Sequence, residues 1–379
     1  MVKPSASVLV VYNQVGEDVY EKIREVGVEN IDLGFEPEYD VDVGTVEEEY
    51  EAVARALRKQ GYRANAFNMR DDLQRLERRL RRSPPDVVFN LVEIFKDDPM
   101  LEAAIAGLFE LMRIPYTGSG PFALTLCQRK GLTKQMLQTN GVPTPHFRAL
   151  LEPKIPKRHG LRYPLIVKPA REDASSGISK DSVVQNYAQL MERIVAMFAE
   201  FEPPILVEEF VEGRELHVSI LGNDEPAVLP MIEYDFSDLP EGHPTLISYD
   251  AKWNPLEEVF HRVHSICPAK LSASLRRRVE KAALAAYAAT GCRDYARLDV
   301  RLDTHNHPFI LEVNPNPDLS EGVSFMESAE WYGLDFDETL AEIVEMALER
   351  TLGEEAPPST KLDFAVPGHF PDADATPAN

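Results

Sequence analysis

A chain of 379 residues is two or three times the usual domain length, so two or three cores are expected. Apolar residues at 44 % and charged residues at 27 % are an ordinary globular balance, and no apolar run approaches the roughly 18 residues of a membrane span. Lys plus Arg number 40 against 63 Asp plus Glu, a formal net charge of −23 that repels nucleic acid and anionic lipid, so neither is expected as a partner.

An anionic ligand must then be held by a few placed cations. The N-terminal VLVVYN reads as a first strand rather than a signal peptide, with only Lys3 ahead of it and no small-residue cleavage site behind. Three widely spaced cysteines (Cys127, Cys267, Cys292) form neither a disulfide framework nor a zinc knuckle, which points to a cytoplasmic protein.

Residues 17–46 are acidic and show no clear pattern. EEEYEAVARALRKQG is predicted to be a helix, with Val53, Ala56 and Leu57 on one face, Glu early, Lys late and Gly61 as its stop. RANAFNM reads as a strand, DDLQRLERRLRR as a charged helix, DVVFNLV (86–92) as a buried strand and LEAAIAGLFELMR as a helix. Strand and helix alternate, which predicts a parallel sheet covered by helices; no Gly-x-Gly-x-x-Gly opens any of the helices. One helix is expected over Leu124–Thr139, then the strand YPLIVKPA, a Ser/Gly loop, a helix near 186–199 and the strand of PPILVEEFVEG. RELHVSILG is a further strand, followed by a long polar loop through 233–258, a helix over Ser272–Thr290, a hairpin and a last helix near 335–352. The proline-rich residues 353–379 are expected to be disordered or loosely docked.

The hairpin YARLDVRLDTHNHPFILEVNPNPD carries the most chemistry. Alternation places Tyr295, Arg297, Asp299 and Arg301 on one face of the first arm, and Ile310, Glu312 and Asn314 on one face of the second. Asp299, Glu312 and Asn314 can then converge, with Arg297 beside them. Two carboxylates about 4 Å apart repel by roughly 4 kcal/mol at an effective dielectric of about 20, so a cation is needed to hold them together. Two carboxylates and an amide oxygen suit Mg²⁺, and Arg297 can stabilise charge developing nearby. The alternative is a hairpin whose polar face meets water.

Lys168 ends an apolar strand, and Ser175-Ser176-Gly177 just beyond offers hydroxyls and unhindered N–H groups to a phosphate. Lys130 and Lys134 lie one helical turn apart; a solvated helix face accounts for them equally well. ILVEEFVEG can present backbone groups and a carboxylate to an adenine edge through Glu208 and Val211, with Glu215 for ribose hydroxyls, unless these acids line a solvated strand edge.

Taken in order, IVKPAREDASSG, VEEFVEGREL, ARLDVRLD and ILEVNPNPD resemble the ATP-grasp superfamily, and IPYTGSG, CQRKGLTK and GVPTP resemble its D-alanine–D-alanine ligase branch. The resemblance covers roughly residues 86–350 and implies an α/β fold with α+β lobes, an ATP-grasp body behind an N-terminal parallel-sheet domain. The expected divisions are a pre-ATP-grasp domain at 1–118, a central nucleotide lobe at 119–212, a metal-bearing lobe at 213–352 and the tail. It implies ATP phosphate contacts from Lys130, Lys168 and Ser175, adenine contacts from Glu208 and Val211, and a ribose contact from Glu215. Lys252 in SYDAKW matches a lysine on a mobile lid, Asp299, Glu312 and Asn314 match the ligands of Mg²⁺ (or Mn²⁺), and Arg297 matches the arginine that stabilises the tetrahedral intermediate.

The implied reaction joins a small-molecule carboxylate and an amine through an acyl phosphate, releasing ADP and phosphate, in an enzyme that is commonly a homodimer. Amino-acid-like substrates are expected; the alternatives are authentic D-alanine–D-alanine ligation or a non-catalytic ATP-binding module. The sequence departs from the branch in VVYNQVGED after the first strand, FNLVEIFKDDPMLEA after the third, Trp253 for a lid tyrosine, and PDLSEGVS after Asn314. Asp318 thereby replaces an oxyanion-hole glycine, Val323 replaces the serine that receives the second substrate's carboxylate, and Glu93 is a candidate amine-binding group, the alternative being a merely solvated loop acid.

Overall fold

The computed structural model describes residues 6–16, 35, 45–172, 175–239 and 243–353. The tail and nearly all of the acidic 17–46 stretch lie outside the described residues. Three sheets follow one another along the chain.

The first is built from β1 (Ser7–Tyr12), α1 (Val46–Lys59), β2 (Arg63–Asn68), α2 (Leu73–Arg82) and β3 (Val87–Asn90), with all strands parallel in the order β2-β1-β3. Thr45 and Glu48 form a reciprocal cap that starts α1, and the predicted Val53, Ala56 and Leu57 are buried against the sheet. The next helix, α3 (Glu102–Met112), covers the other face, where Phe109 packs with Leu9 and Val88.

The single helix expected over Leu124–Thr139 is in fact two, α4 (Pro121–Cys127) and α5 (Lys130–Thr139). Arg129 leaves the helical region at φ −102°, ψ 77°, and the Lys130 N–H bonds the Ala170 carbonyl at 3.1 Å instead of a helical partner. This break makes Lys130 the first residue of a new helix aimed at the strands that follow.

The second sheet is antiparallel, in the order β4-β7-β5-β6, from β4 (Phe147–Leu150), β5 (Leu165–Pro169), β6 (Val183–Val184) and β7 (Ile205–Glu209). Between the last two, α6 (Tyr187–Glu200) buries Leu190, Ile194 and Met197 on Val167 and Val207, and Asn186 caps its start.

The third sheet begins with β8 (Gly213–Leu221), β9 (Ala227–Val228) and β10 (Ile232–Asp235). The polar loop expected over 233–258 instead starts inside β10 and holds the short helix α7 (Tyr249–Trp253); α8 (Glu258–His261) follows at its end, before β11 (His264–Ile266). Next, α9 (Ala273–Thr290) starts at the Ser272 cap and stops at Gly291, φ +71°, which an L side chain would resist. It packs on β12 (Tyr295–Asp303) and β13 (Pro308–Asn314), giving the strand order β11-β10-β8-β12-β13. Beyond α10 (Ser324–Tyr332), α11 (Phe336–Gly353) returns to the first sheet, burying Leu340, Ile343 and Val344 with Val8, Val10 and Leu57. Among the described residues no helix is long and apolar enough to cross a membrane.

Asp294, fully buried, ties these parts together. It accepts hydrogen bonds from Gly118 N at 2.8 Å and Asn223 Nδ2 at 3.0 Å, and pairs with the Arg350 guanidinium of α11. Asp294→Asn removes the charge while keeping the shape, leaving Arg350 without its counter-ion. The expected loss is about 3 kcal/mol of unfolding free energy, measured by urea denaturation; an unchanged midpoint would remove Asp294 from this role.

Candidate active site

The hairpin arms pair antiparallel, with Asp299 opposite Glu312 and Arg297 opposite Asn314. A bulge follows: Val300 pairs with Ile310, so Leu311 is an extra residue in the second arm. Simple alternation therefore fails at this point. Ile310 does not share the face of Glu312 but is fully buried in the core with Val300, whereas Leu311 turns toward the cavity with Glu312.

Each hairpin carboxylate meets a cation. Arg297 donates from Nε to Asp299 Oδ1 at 2.8 Å and from Nη2 to Oδ2 at 3.3 Å. Lys130 Nζ, from the start of α5, donates to Glu312 Oε2 at 2.7 Å. Burial alone would raise both carboxyls; the charges of Arg297 and Lys130 outweigh it, and both lie below the usual range. The solvent-facing hairpin is thus excluded.

Behind this pair, Glu208 is buried between Lys134 Nζ at 3.0 Å and Lys168 Nζ at 3.3 Å, and Lys134 also donates to Thr144 Oγ1 at 3.0 Å. Neither a solvated helix face nor a solvated strand edge describes these residues, since Lys130, Lys134 and Glu208 are all buried. Burial pushes the Lys134 ammonium down to about 8, against the pull of Glu208.

Glu215 stands opposite Arg301 across β8 and β12 and accepts from its Nη1 at 2.7 Å. Arg301 further bonds the Thr245 and Gly213 carbonyls, at 2.7 and 3.1 Å, and lies 4.9 Å over the Phe210 ring. Burial raises the Glu215 carboxyl and Arg301 only partly offsets it.

The loop after β5 meets the segment around α7. Ser175 Oγ donates to the Ile247 carbonyl at 3.2 Å, and Tyr249 N to the Ile178 carbonyl at 3.2 Å. Gly177 allows the turn: at φ +73°, a Cβ there would meet the Phe201 ring at 2.9 Å and Pro169 Cδ at 3.0 Å. On α7, Lys252 lies 5.2 Å over the Trp253 ring, and burial together with Arg297 lowers its ammonium pKa.

These groups open on one cavity of about 600 Å³. Lys168, Ser175, Glu208, Val211, Glu215, Lys252, Arg297, Asp299 and Glu312 line it; Lys130 reaches it only through Glu312, Asn314 turns its Oδ1 to Asn316 N at 3.4 Å, and Lys134 and the candidate amine-binding Glu93 lie outside its lining. Among the described residues no three His, Cys, Asp or Glu side chains converge as a cage for a metal ion. Two paired carboxylates and a neighbouring amide form instead an open, hard oxygen set, which fits a magnesium ion that keeps water and phosphate oxygens. At the first sheet, burial and then the charges of Glu93 and Asp318 raise the Tyr50 phenol, so both carboxylates lie within electrostatic reach of Tyr50; of the two only Asp318 lines the cavity.

The sequence model described as D-ala D-ala ligase C-terminus matches residues 136–345. The chain belongs to the D-alanine–D-alanine ligase family. A D-alanine–D-alanine ligase of Carboxydothermus hydrogenoformans is 31% identical over 309 residues, 79% of this chain and 92% of that protein. One of Nitrosomonas europaea is 33% identical over 304 residues, covering 79% and 91%. An uncharacterized protein y4sG of Sinorhizobium fredii is 34% identical over 277 residues, covering 71% and 79%. The crystal structure of D-alanine–D-alanine ligase from Bacillus anthracis superposes with a TM-score of 0.69 at 21% identity, covering 93% of this chain and all of that one. The fold is ATP-grasp, and the protein is an ATP-dependent carboxylate–amine ligase acting on small molecules.

Sequence reasoning missed His217, Tyr234, Ser324 and the ion-pair roles of Arg301 and Lys134. His217 sits two residues from Glu215 on the same strand face, which was a usable signal; Lys134 had only its helical spacing from Lys130. Lys134→Met should cost about 3 kcal/mol by stranding Glu208 with one lysine, read by urea denaturation, and K134M with E208Q should recover part of it. Loss no larger than that of an exposed lysine would contradict the buried bridge.

Proposed function

We propose that the protein activates the carboxylate of a small amino acid with ATP and joins it to the amine of a second. The named relatives support D-alanine in both positions better than an open choice of amino-acid-like substrates. The observation carrying the reading is that Arg297, Asp299 and Glu312 share one cavity wall with Lys168 and Lys252, Lys130 standing behind it in its pair with Glu312.

Asp299, Glu312 and Asn314 would hold magnesium, which when bound neutralises phosphate charge and orients substrate oxygens. Lys130 and Lys168 would turn their ammonium groups to the triphosphate, Lys168 being steadied by Glu208. Glu208 and Val211 border the adenine end, and Glu215, fixed by Arg301, would accept from ribose hydroxyls. Arg297 commits Nε and Nη2 to Asp299, which leaves Nη1 for the oxyanion that develops when the amine adds to the acyl carbon. Ser175, bonded to Ile247, and Lys252 close the site and keep water from the acyl phosphate.

A second reading, an amino-acid pair other than D-alanine twice, is favoured by Asp318 and Val323 in the cavity wall. Incubation with Mg-ATP and D-alanine, following phosphate and product mass, separates the two: D-alanyl-D-alanine supports the first, and product only from another pair supports the second. ATP binding without release under every pairing would leave a nucleotide-binding module.

Arg297→Ala should lower kcat about a hundredfold while ATP affinity, measured by equilibrium titration, stays within about twofold. Equal losses in both would dismiss the proposed role. Glu312→Gln should raise the Mg²⁺ needed for half-maximal turnover with little change in unfolding midpoint, and excess EDTA should abolish turnover reversibly; turnover indifferent to both would remove the metal assignment.

A further inference from the structure

Cys127, Cys267 and Cys292 all carry thiols, and none of them lines the cavity. Two of the three meet. Cys127 is the last residue of α4 and is buried, whereas Cys292 follows Gly291, where α9 stops, and is half-buried beside that exposed glycine. Both pack in one apolar cluster, and their thiols are hydrogen-bonded to each other. The surrounding chain holds them there. Helix α4 packs on α9, and Arg293 donates from N to Ser119 Oγ at 3.3 Å and from Nε to the Gly118 carbonyl at 2.9 Å. Thr290 Oγ1 lies 3.3 Å from Cys292 Sγ.

The thiols differ in reactivity. Hydrogen bonding with Cys127 lowers the Cys292 thiol pKa against the pull of burial, and Thr290 and Ser119 add to the effect. Burial, and then Glu327, pushes the Cys267 thiol up to about 12. The thiolate is the form that attacks an oxidant, and a reachable low-pKa thiol beside a second thiol is the arrangement that redox sensing requires. Cys127 also stands at the break between α4 and α5. Thr133 Oγ1 donates to the Leu126 carbonyl at 2.7 Å, so the end of α4 and the first turn of α5 move together. Lys130, with its bond to Glu312, lies in that turn.

We propose that Cys127 and Cys292 form a redox modification site, which a peroxide converts reversibly into a disulfide that controls the position of Lys130. The Cys292 thiolate attacks a peroxide oxygen; the O–O bond breaks, hydroxide leaves and a sulfenic acid forms. The Cys127 thiol then attacks that sulfur, and its proton leaves with the displaced hydroxide as water. The two thiols lose two electrons and the peroxide gains them. Closing the bond draws the end of α4 toward the turn between α9 and β12, and Thr133 passes the shift to Lys130. The cross-link is independent of the ligase reading; its effect on turnover rests on that reading.

The test treats the reduced full-length protein with hydrogen peroxide, alkylates the remaining thiols and maps the peptides by mass spectrometry. The Cys127 and Cys292 peptides should be joined, Cys267 should be alkylated, and dithiothreitol should undo the link. Cys127→Ser removes the resolving thiol, so dimedone should trap a sulfenic acid at Cys292. No link between Cys127 and Cys292, oxidation of Cys267 at least as fast, or no dimedone adduct in the Cys127→Ser variant overturns the site. Phosphate release with Mg-ATP and D-alanine should fall about tenfold in the linked protein and return with dithiothreitol, and the Cys292→Ser variant should ignore the same peroxide. Unchanged turnover in protein shown to carry the link overturns the control of Lys130. Absence of turnover before peroxide fails the ligase reading instead, while the peptide map still decides the site.

Discussion

Two carboxylates facing one another across a pair of antiparallel strands are the constraint around which this protein is organised. Asp299 and Glu312 would repel strongly in a buried wall, and each is held by one cation reached from a different place: Arg297 from the same strand and Lys130 from the start of a helix 182 residues earlier. The break between α4 and α5 and the bulge at Leu311 both serve that geometry. The break delivers an ammonium to the strands, and the bulge keeps Glu312 on the cavity side while Ile310 enters the core.

Charge is sorted in the same way elsewhere. The chain carries a net −23, yet its buried cations gather around one cavity. Glu208 sits between two lysines and Glu215 against an arginine, so these cavity acids are neutralised by the protein itself. Such pairs are weak sources of net stability but strong sources of position, because removing either partner leaves a buried charge. Asp294 does similar work at the junction, joining the first sheet, the third sheet and the last helix through four separate segments.

Kinship to the D-alanine–D-alanine ligases and the site chemistry divide along the cavity. Lys168, Glu208, Val211, Glu215, Arg297, Asp299 and Glu312, which the resemblance picked out, share the lining of one cavity. In the same lining Trp253, Asp318 and Val323 depart from the branch, and His217, Tyr234 and Ser324 stand with them. Phosphate chemistry tolerates few arrangements of charge, whereas the wall facing a small acceptor can be rebuilt one side chain at a time.

The periodic helices, the parallel first sheet and the hairpin with its polar face were legible in the sequence because local spacing and caps decide them. Val53, Ala56 and Leu57, the Ser272 start and Gly291 stop of α9, and the arms meeting at DTHNH are of this kind. The ordered motifs also made the ATP-grasp body and its candidate residues readable. Other features depended on distant partners. Whether Lys134 met water or Glu208, whether Glu215 met solvent or Arg301, and whether Ile310 followed Glu312 were settled only by strands and helices far apart in the chain. Local residues carry their own conformational preferences and donor types, and the sequence determined those; burial and pairing belong to surfaces brought together by folding, and only the tertiary structure could decide them.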